Sequence, residues 1–91
     1  MYNYLIKETE KILKALANRR RLAIVKYLDH AHSASVGDIA DQIRLSFRAT
    51  SKHLGVLRSA DIVDREQVNL SMIYSLTKPS SIILKSVLSI V

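Results

Sequence analysis

The hydrophobic pattern of this chain changes period after Asp61, and that change constrains its fold more than any other feature. Before it, apolar residues recur at helical spacing. Leu5, Ile6, Ile12, Leu13 and Leu16 form one stripe, while Lys7, Glu8, Glu10, Lys11 and Lys14 fill the other face, which predicts a first helix over Tyr2 to Leu16. Asn18 is placed to cap a second helix reaching about Leu28, with Leu22, Val25 and Leu28 inward. Asp29 to Ser35 (DHAHSAS) is small and polar and reads as a loop. The run Ser35-Val36-Gly37-Asp38 matches a capping box and opens a short third helix, about Val36 to Ile43, that buries Ile39, Ala40 and Ile43. Ser46 caps a fourth helix from about Phe47 to Ser59, whose inward stripe is Thr50, Leu54 and Leu57.

After Asp61, Ile62 to Glu66 and Val68 to Leu76 read as strands. In the second, Val68, Leu70, Met72, Tyr74 and Leu76 alternate with Asn69, Ser71, Ile73 and Ser75. A hairpin with its tip near Gln67 to Leu70 fits, and Pro79 suits the first turn of a last helix, about Ser80 to Val91. The predicted order is ααααββα, a mostly α fold with a small β-hairpin, as one domain over residues 1–91.

Composition narrows what such a fold can do. Two glycines and one proline are too few for the many turns of a small all-β protein. With no cysteine, disulfides, thiolate metal sites and cysteine nucleophiles are excluded together. The net charge of +6 points toward a polyanion, most often nucleic acid. The opening residues mix lysine with glutamate, unlike a signal peptide. The apolar cluster Ile82 to Val91 rises only ~15 Å as a helix and cannot cross a ~30 Å hydrocarbon layer. A soluble, cytoplasmic chain without membrane contact is expected.

Two Ser-capped helices about ten residues apart suggest a helix-turn-helix, and a hairpin directly after them makes it a winged helix. The segment LKALANRRRLAIVKYL resembles the second-helix signature of ArsR/SmtB-type repressors, and IADQIRLSFRATSKHLGVLRSADIV resembles the recognition segment of the same family. Leu45, Ser46, Ser51, His53, Leu54, Leu57, Arg58, Ala60 and Val63 fall in register without gaps, and the resemblance covers about Leu13 to Leu76. It implies a winged helix-turn-helix transcriptional regulator that acts as a homodimer on double-stranded DNA. Two recognition helices would enter successive major grooves of a pseudo-palindromic operator, most simply repressing by occupying a promoter.

Charge supports this separately. From Gln42 to Ala60 there is no acidic residue, whereas Arg44, Arg48, Lys52 and Arg58 are basic. Arg48, Ser51, Lys52, Gly55 and Ser59 lie opposite the apolar stripe of the fourth helix, a face suited to a major groove. Ser46, Phe47, Arg48, Ser51, Lys52 and Gly55 are the candidate DNA contacts there, joined by Arg65, Arg19 and Arg20. Phe47 either meets a thymine methyl or packs across the turn onto the third helix, and packing is the default. Arg19 and Arg20 either hold phosphates or pair with Glu8, Glu10 or a second protomer. The resemblance gives Arg21 a structural role, and His53 is expected packed and hydrogen-bonded. The last helix is apolar nearly all round, so Leu5, Ile12, Ile83, Leu84, Val87, Leu88 and Val91 are the candidate dimerisation residues.

The chain also departs from the family. Its sensors often carry a cysteine pair on the third helix or Asp/His ligands on the last; here the third helix reads VGDIA and the last SSIILKSVLSIV, so neither site carries over. No metal or cofactor is expected, and Asp29, His30 and His32 read as solvated loop residues. Asp61 stands where the family has Gly, at a turn that wants a left-handed residue. The wing tip, Glu66-Gln67-Val68-Asn69-Leu70-Ser71, lacks the family's basic residues, leaving Arg65 with Glu66 opposing it. Asn69 can make the turn. A winged helix used for protein contacts is the rival reading, with Val68 and Leu70 as its evidence. No nucleophile–base pairing is legible, so no enzymatic activity is expected, and no effector can be read.

Overall fold

Four short polar side chains open four of the helices. The structure, a computed structural model, describes residues 2–91. Its helices are α1 (Tyr2–Leu16), α2 (Arg19–Ala31), α3 (Val36–Ile43), α4 (Phe47–Ser59) and α5 (Ile82–Ile90); its strands are β1 (Ser33–Ser35), β2 (Val63–Val68) and β3 (Ser71–Leu76). Asn18 accepts the Arg20 and Arg21 N–H groups at 2.9 and 3.1 Å. The Ser46 and Ser81 hydroxyls accept those of Ala49 and Leu84, each at 3.1 Å. Of the expected box at α3, the bond from the Asp38 N–H to the Ser35 hydroxyl is formed, at 3.2 Å. Each cap satisfies a backbone donor that its helix leaves free.

The end of α4 is equally defined. Asp61 takes the left-handed conformation, φ 57°, as its position in place of glycine requires. Its N–H reaches the Arg58 carbonyl at 3.0 Å, and the next N–H, of Ile62, reaches Leu57 at 2.9 Å. This pair of bonds is a Schellman closure. Arg44 closes α3 in the same way, with φ 56° and the Leu45 N–H on the Ala40 carbonyl at 3.0 Å.

The sheet has three strands, in the order β1-β3-β2, rather than the two of the expected hairpin. The expected loop from Asp29 to Ser35 is mostly absent. Helix α2 continues to Ala31, carrying Asp29 and His30 on its last turn, and His32 caps it with φ 72°. Ser33, Ala34 and Ser35 then pair antiparallel with Ser75, Tyr74 and Ile73. The order is therefore ααβααββα. Three residues are too few to show a period, and only their pairing with β3 makes them a strand.

Strands β2 and β3 pair from Val63↔Leu76 to Val68↔Ser71, leaving a two-residue turn, Asn69-Leu70. Asn69 supplies the positive φ, 57°. The alternation of β3 thus stops at Ser71, and Leu70 stands outside the ladder. Helix α5 begins at Ile82, later than expected, because Ser81 and not Pro79 sets its start. Pro79 precedes it in a cis peptide with Lys78.

Ile24, Val25, Leu28, Ile39, Leu54, Leu57 and Val63 are fully buried between the helices and the sheet. Leu84 joins them at 1% exposure, so it anchors α5 in the protomer's own core and is not available to a second copy, contrary to its expected role. Ile12, Ile83, Val87 and Leu88 are partly buried against the same core. Among the described residues no helix is long and apolar enough to cross a membrane.

Thr50 is wholly buried in the inward stripe of α4, and its hydroxyl has no hydrogen-bond partner. An unpaired buried hydroxyl costs roughly 1–3 kcal/mol. Thr50→Val keeps the shape and removes that group. It should raise the urea midpoint, by about 1 kcal/mol in unfolding free energy, at fixed protein concentration and with unchanged slope. A lower midpoint would mean that the hydroxyl is bonded after all.

Candidate nucleic-acid interface

Burial of Thr50, Leu54 and Leu57 fixes the rotation of α4 about its axis. The opposite side carries Arg48, Lys52, Gly55, Arg58 and Ser59 outward, with Ser51 half-buried at its edge. Among the described residues the one ion pair is Glu10–Lys14 on α1, at 3.7 Å. Arg48, Lys52 and Arg65 are therefore exposed cations without a carboxylate partner. A Cβ on Gly55 would meet no atom within 4 Å. Nothing inside the protein requires glycine there, and its effect is to leave the outward face flat.

The N-terminal turns of α4 face the hairpin across a cleft of about 550 Å³. Phe47 and Ser51 form one wall; Arg65, Leu70, Ser71, Met72 and Tyr74 form the other; Ser35, Val36 and Gly37 close it at the start of α3. Strand alternation places Arg65, which pairs across with Tyr74, on the cleft side of β2. Asp64 and Glu66 consequently point to the other face, so Glu66 does not oppose Arg65 as expected.

Phe47 is 62% exposed and does not pack across the turn onto α3. Leu45 packs against the core just before it, and Phe47, first residue of α4, is left facing the cleft. Ser46 spends its hydroxyl on the Ala49 N–H while remaining exposed.

The arginine triplet is only partly available. Arg19 is exposed. Arg20 donates Nη1 to the Ile43 carbonyl at 2.9 Å, at the end of α3. Arg21 donates to the carbonyls of Ala15 and Lys14 at the end of α1, and its Nη1 lies 3.2 Å from His53 Nδ1. Neither Arg19 nor Arg20 pairs with Glu8 or Glu10; Arg20 instead holds the C-terminus of α3, and Arg19 stays exposed. Arg21 holds the structural role that the resemblance implied. Because a guanidinium only donates, His53 Nδ1 must be the unprotonated nitrogen. Burial, then the charges of Arg21 and Arg20, holds the His53 pKa below its ordinary 6.5.

A second surface lies away from α4. Leu5, Ile6 and Leu13 are 60, 50 and 52% exposed and line an open apolar groove along α1. Between Asn3 and Lys14 only Glu8 and Ile12 are even partly covered. On α5 and beyond, Ile82, Ile90 and Val91 are also exposed. The candidate dimerisation residues therefore divide: Leu5 and Val91 are free, Ile12, Ile83, Val87 and Leu88 are half-covered, and Leu84 is spent.

Residues 16–66 match a protein family described as a helix-turn-helix domain. The transcriptional activator HlyU of Vibrio cholerae is 37% identical over 67 residues, which is 72% of this chain and 60% of HlyU. The chain thus spans about three fifths of that relative's length. The structure of reduced HlyU from the same organism aligns over 98% of this chain and 90% of that one, at 31% identity and TM-score 0.80. The transcriptional repressor BigR of Xylella fastidiosa aligns over 98% and 88%, at 28% identity and TM-score 0.81. Mb0332 of Mycobacterium bovis, a homodimeric winged helix-turn-helix DNA-binding domain, shares the fold at 22% identity and TM-score 0.84, over 98% and 79%.

The burial of His53, together with the charges of Arg21 and Arg20, makes stability depend on pH with a definite sign. The unfolded chain binds a proton on His53 near the ordinary value of 6.5, the folded chain only at lower pH. The contribution of neutral His53 to stability is complete above 6.5 and is lost as pH falls from there through the lower folded value. The urea midpoint should decline as pH falls below about 6.5 toward the lower folded pKa, and His53→Gln, which keeps an acceptor for Arg21, should flatten the decline. Equal declines in both proteins would remove His53 as a source.

Proposed function

Since the chain belongs to the helix-turn-helix family in its winged, ArsR/SmtB-like form, we propose that it is a homodimeric transcriptional regulator that binds double-stranded DNA sequence-specifically. The observation that carries this reading is the outward face of α4. Arg48 and Lys52 are one turn apart, exposed, unpaired and free of nearby acids on their own helix. Such a face in a major groove can place a guanidinium on a guanine edge and an ammonium on a phosphate. Ser51 sits between them as donor or acceptor, Gly55 lets the backbone approach, and Arg65 and Arg19 supply further phosphate contacts.

The second copy follows from α1. A helix this short is marginal in water unless its apolar side is covered. Leu5, Ile6 and Leu13, with Ile82, Ile90 and Val91, form the surface that a second copy covers. Two α4 helices then face two half-sites. HlyU is an activator and BigR a repressor. In this reading the sign of regulation follows from where the operator lies relative to the promoter, and occupancy of the promoter itself represses.

Titration of random and promoter duplexes over a salt series tests the first part. Binding should be tight and fall steeply with salt. Arg48→Ala and Lys52→Ala should each weaken it at least about tenfold, roughly 1.4 kcal/mol, and one of them should blur base preference. Gln67→Ala should cost less than about threefold. Absence of salt-dependent binding would favour the protein-contact rival. Light scattering at micromolar concentration should give about twice 10.3 kDa, and Leu5→Glu, at an exposed site, should give the monomer. A wild-type monomer would refute the dimer.

A further inference from the structure

We propose that Leu70 is a wedge that enters the DNA minor groove beside each major-groove site and partly unstacks one base step, so that the protein also selects deformable sequence. The inference rests on the DNA-binding reading above and deepens it.

Leu70 is 100% exposed, and it occupies the tip of the β2–β3 hairpin rather than the apolar surface of α1 and α5. It also lines the cleft whose other wall is Phe47 and Ser51, so it stands on the α4 side of the molecule. The tip is braced. Its turn has only two residues, Asn69 accepts the left-handed conformation, and Gln67 Nε2 donates to the Asn69 carbonyl at 3.3 Å. Presenting Leu70 therefore requires little further ordering on contact. Val68, 44% exposed, broadens its base.

The cleft explains how the tip reaches the minor groove. With α4 in the major groove, the cleft between α4 and the hairpin is where one sugar–phosphate strand can pass. The cleft offers that strand the hydroxyls of Ser35, Ser51 and Ser71 and the Arg65 guanidinium. Beyond the strand lies the minor groove, and the residue that projects there is Leu70. No cation occurs from Glu66 to Ser71, so the tip cannot hold a minor groove by charge. Apolar side chains inserted between base steps are the other way in which proteins hold it. Pyrimidine–purine steps unstack most readily, so a TA or CA/TG step should be preferred where the tip lands.

The test uses a duplex selected from a random-sequence pool by the wild-type protein, with 2-aminopurine placed at successive positions. Wild type should raise the fluorescence at one step in each half-site. Leu70→Asn should abolish that rise and weaken binding about fivefold or more, whereas Leu70→Met, another apolar wedge, should retain both. Replacing the unstacked step by a stiff A-tract step should weaken wild type and leave Leu70→Asn unchanged. Because the side chain is fully exposed, neither variant disturbs the core. Binding without unstacking at any position, or Leu70→Asn behaving as wild type, would overturn the wedge and leave the DNA-binding reading standing. Failure to select any duplex would overturn both.

Discussion

The Arg21 guanidinium reaches from the first turn of α2 to two carbonyls at the end of α1, those of Lys14 and Ala15, and to the His53 ring on α4. Three helices meet at this one group, which ties α4 to the end of α1 beside their shared core. A helix C-terminus carries unsatisfied carbonyls and partial negative charge, so a cation there is favourable. Arg20 does the same at the end of α3, through the Ile43 carbonyl. Three arginines at the start of α2 look unfavourable against that helix's own dipole. Two of them are stabilised by the negative ends of two other helices, with no carboxylate required.

Using carbonyls in this way leaves the acids free to be elsewhere, and their placement organises the surface. Asp64 and Glu66 occupy the side of β2 turned from the cleft, and Glu10 pairs with Lys14 on α1. The outward face of α4 has no acid at all. Apolar surface is segregated too, with Leu5, Ile6 and Leu13 along α1 and Phe47 and Leu70 flanking the cleft. The basic face of α4 and the apolar groove of α1 thus lie on different parts of the surface, while Phe47 and Leu70 add apolar area beside the basic face.

Much of this was legible in the sequence because its signals are local. Asn18, Ser35 and Ser46 cap the helices they precede, Thr50 turns inward with Leu54 and Leu57, and Asp61 takes the left-handed turn. The misreadings concern tertiary choices. In α5, where apolar residues lie nearly all round, the pattern does not separate those facing the protomer's own core, such as Leu84, from those left exposed, such as Ile82 and Ile90. Ser33–Ser35 becomes a strand only by pairing with β3, at a separation in sequence that no local pattern reports. Phe47 looked like a packing residue because the contribution of Leu45 to the same turn is not a matter of composition. Leu70 continued an alternation on paper that the two-residue turn ends.

Ser35 is the last residue of β1 and the cap of α3 at once: it pairs with Ile73 of the central strand, while its hydroxyl holds the Asp38 N–H. No linker separates the sheet from the helix-turn-helix, so the base of the hairpin is tied directly to the start of α3. The hairpin and α4 thus present their surfaces at a span set by the β1–α3 junction. A duplex that meets both must adjust its own curvature and groove width to the fixed span between them, and the elastic cost of fit falls on the nucleic acid.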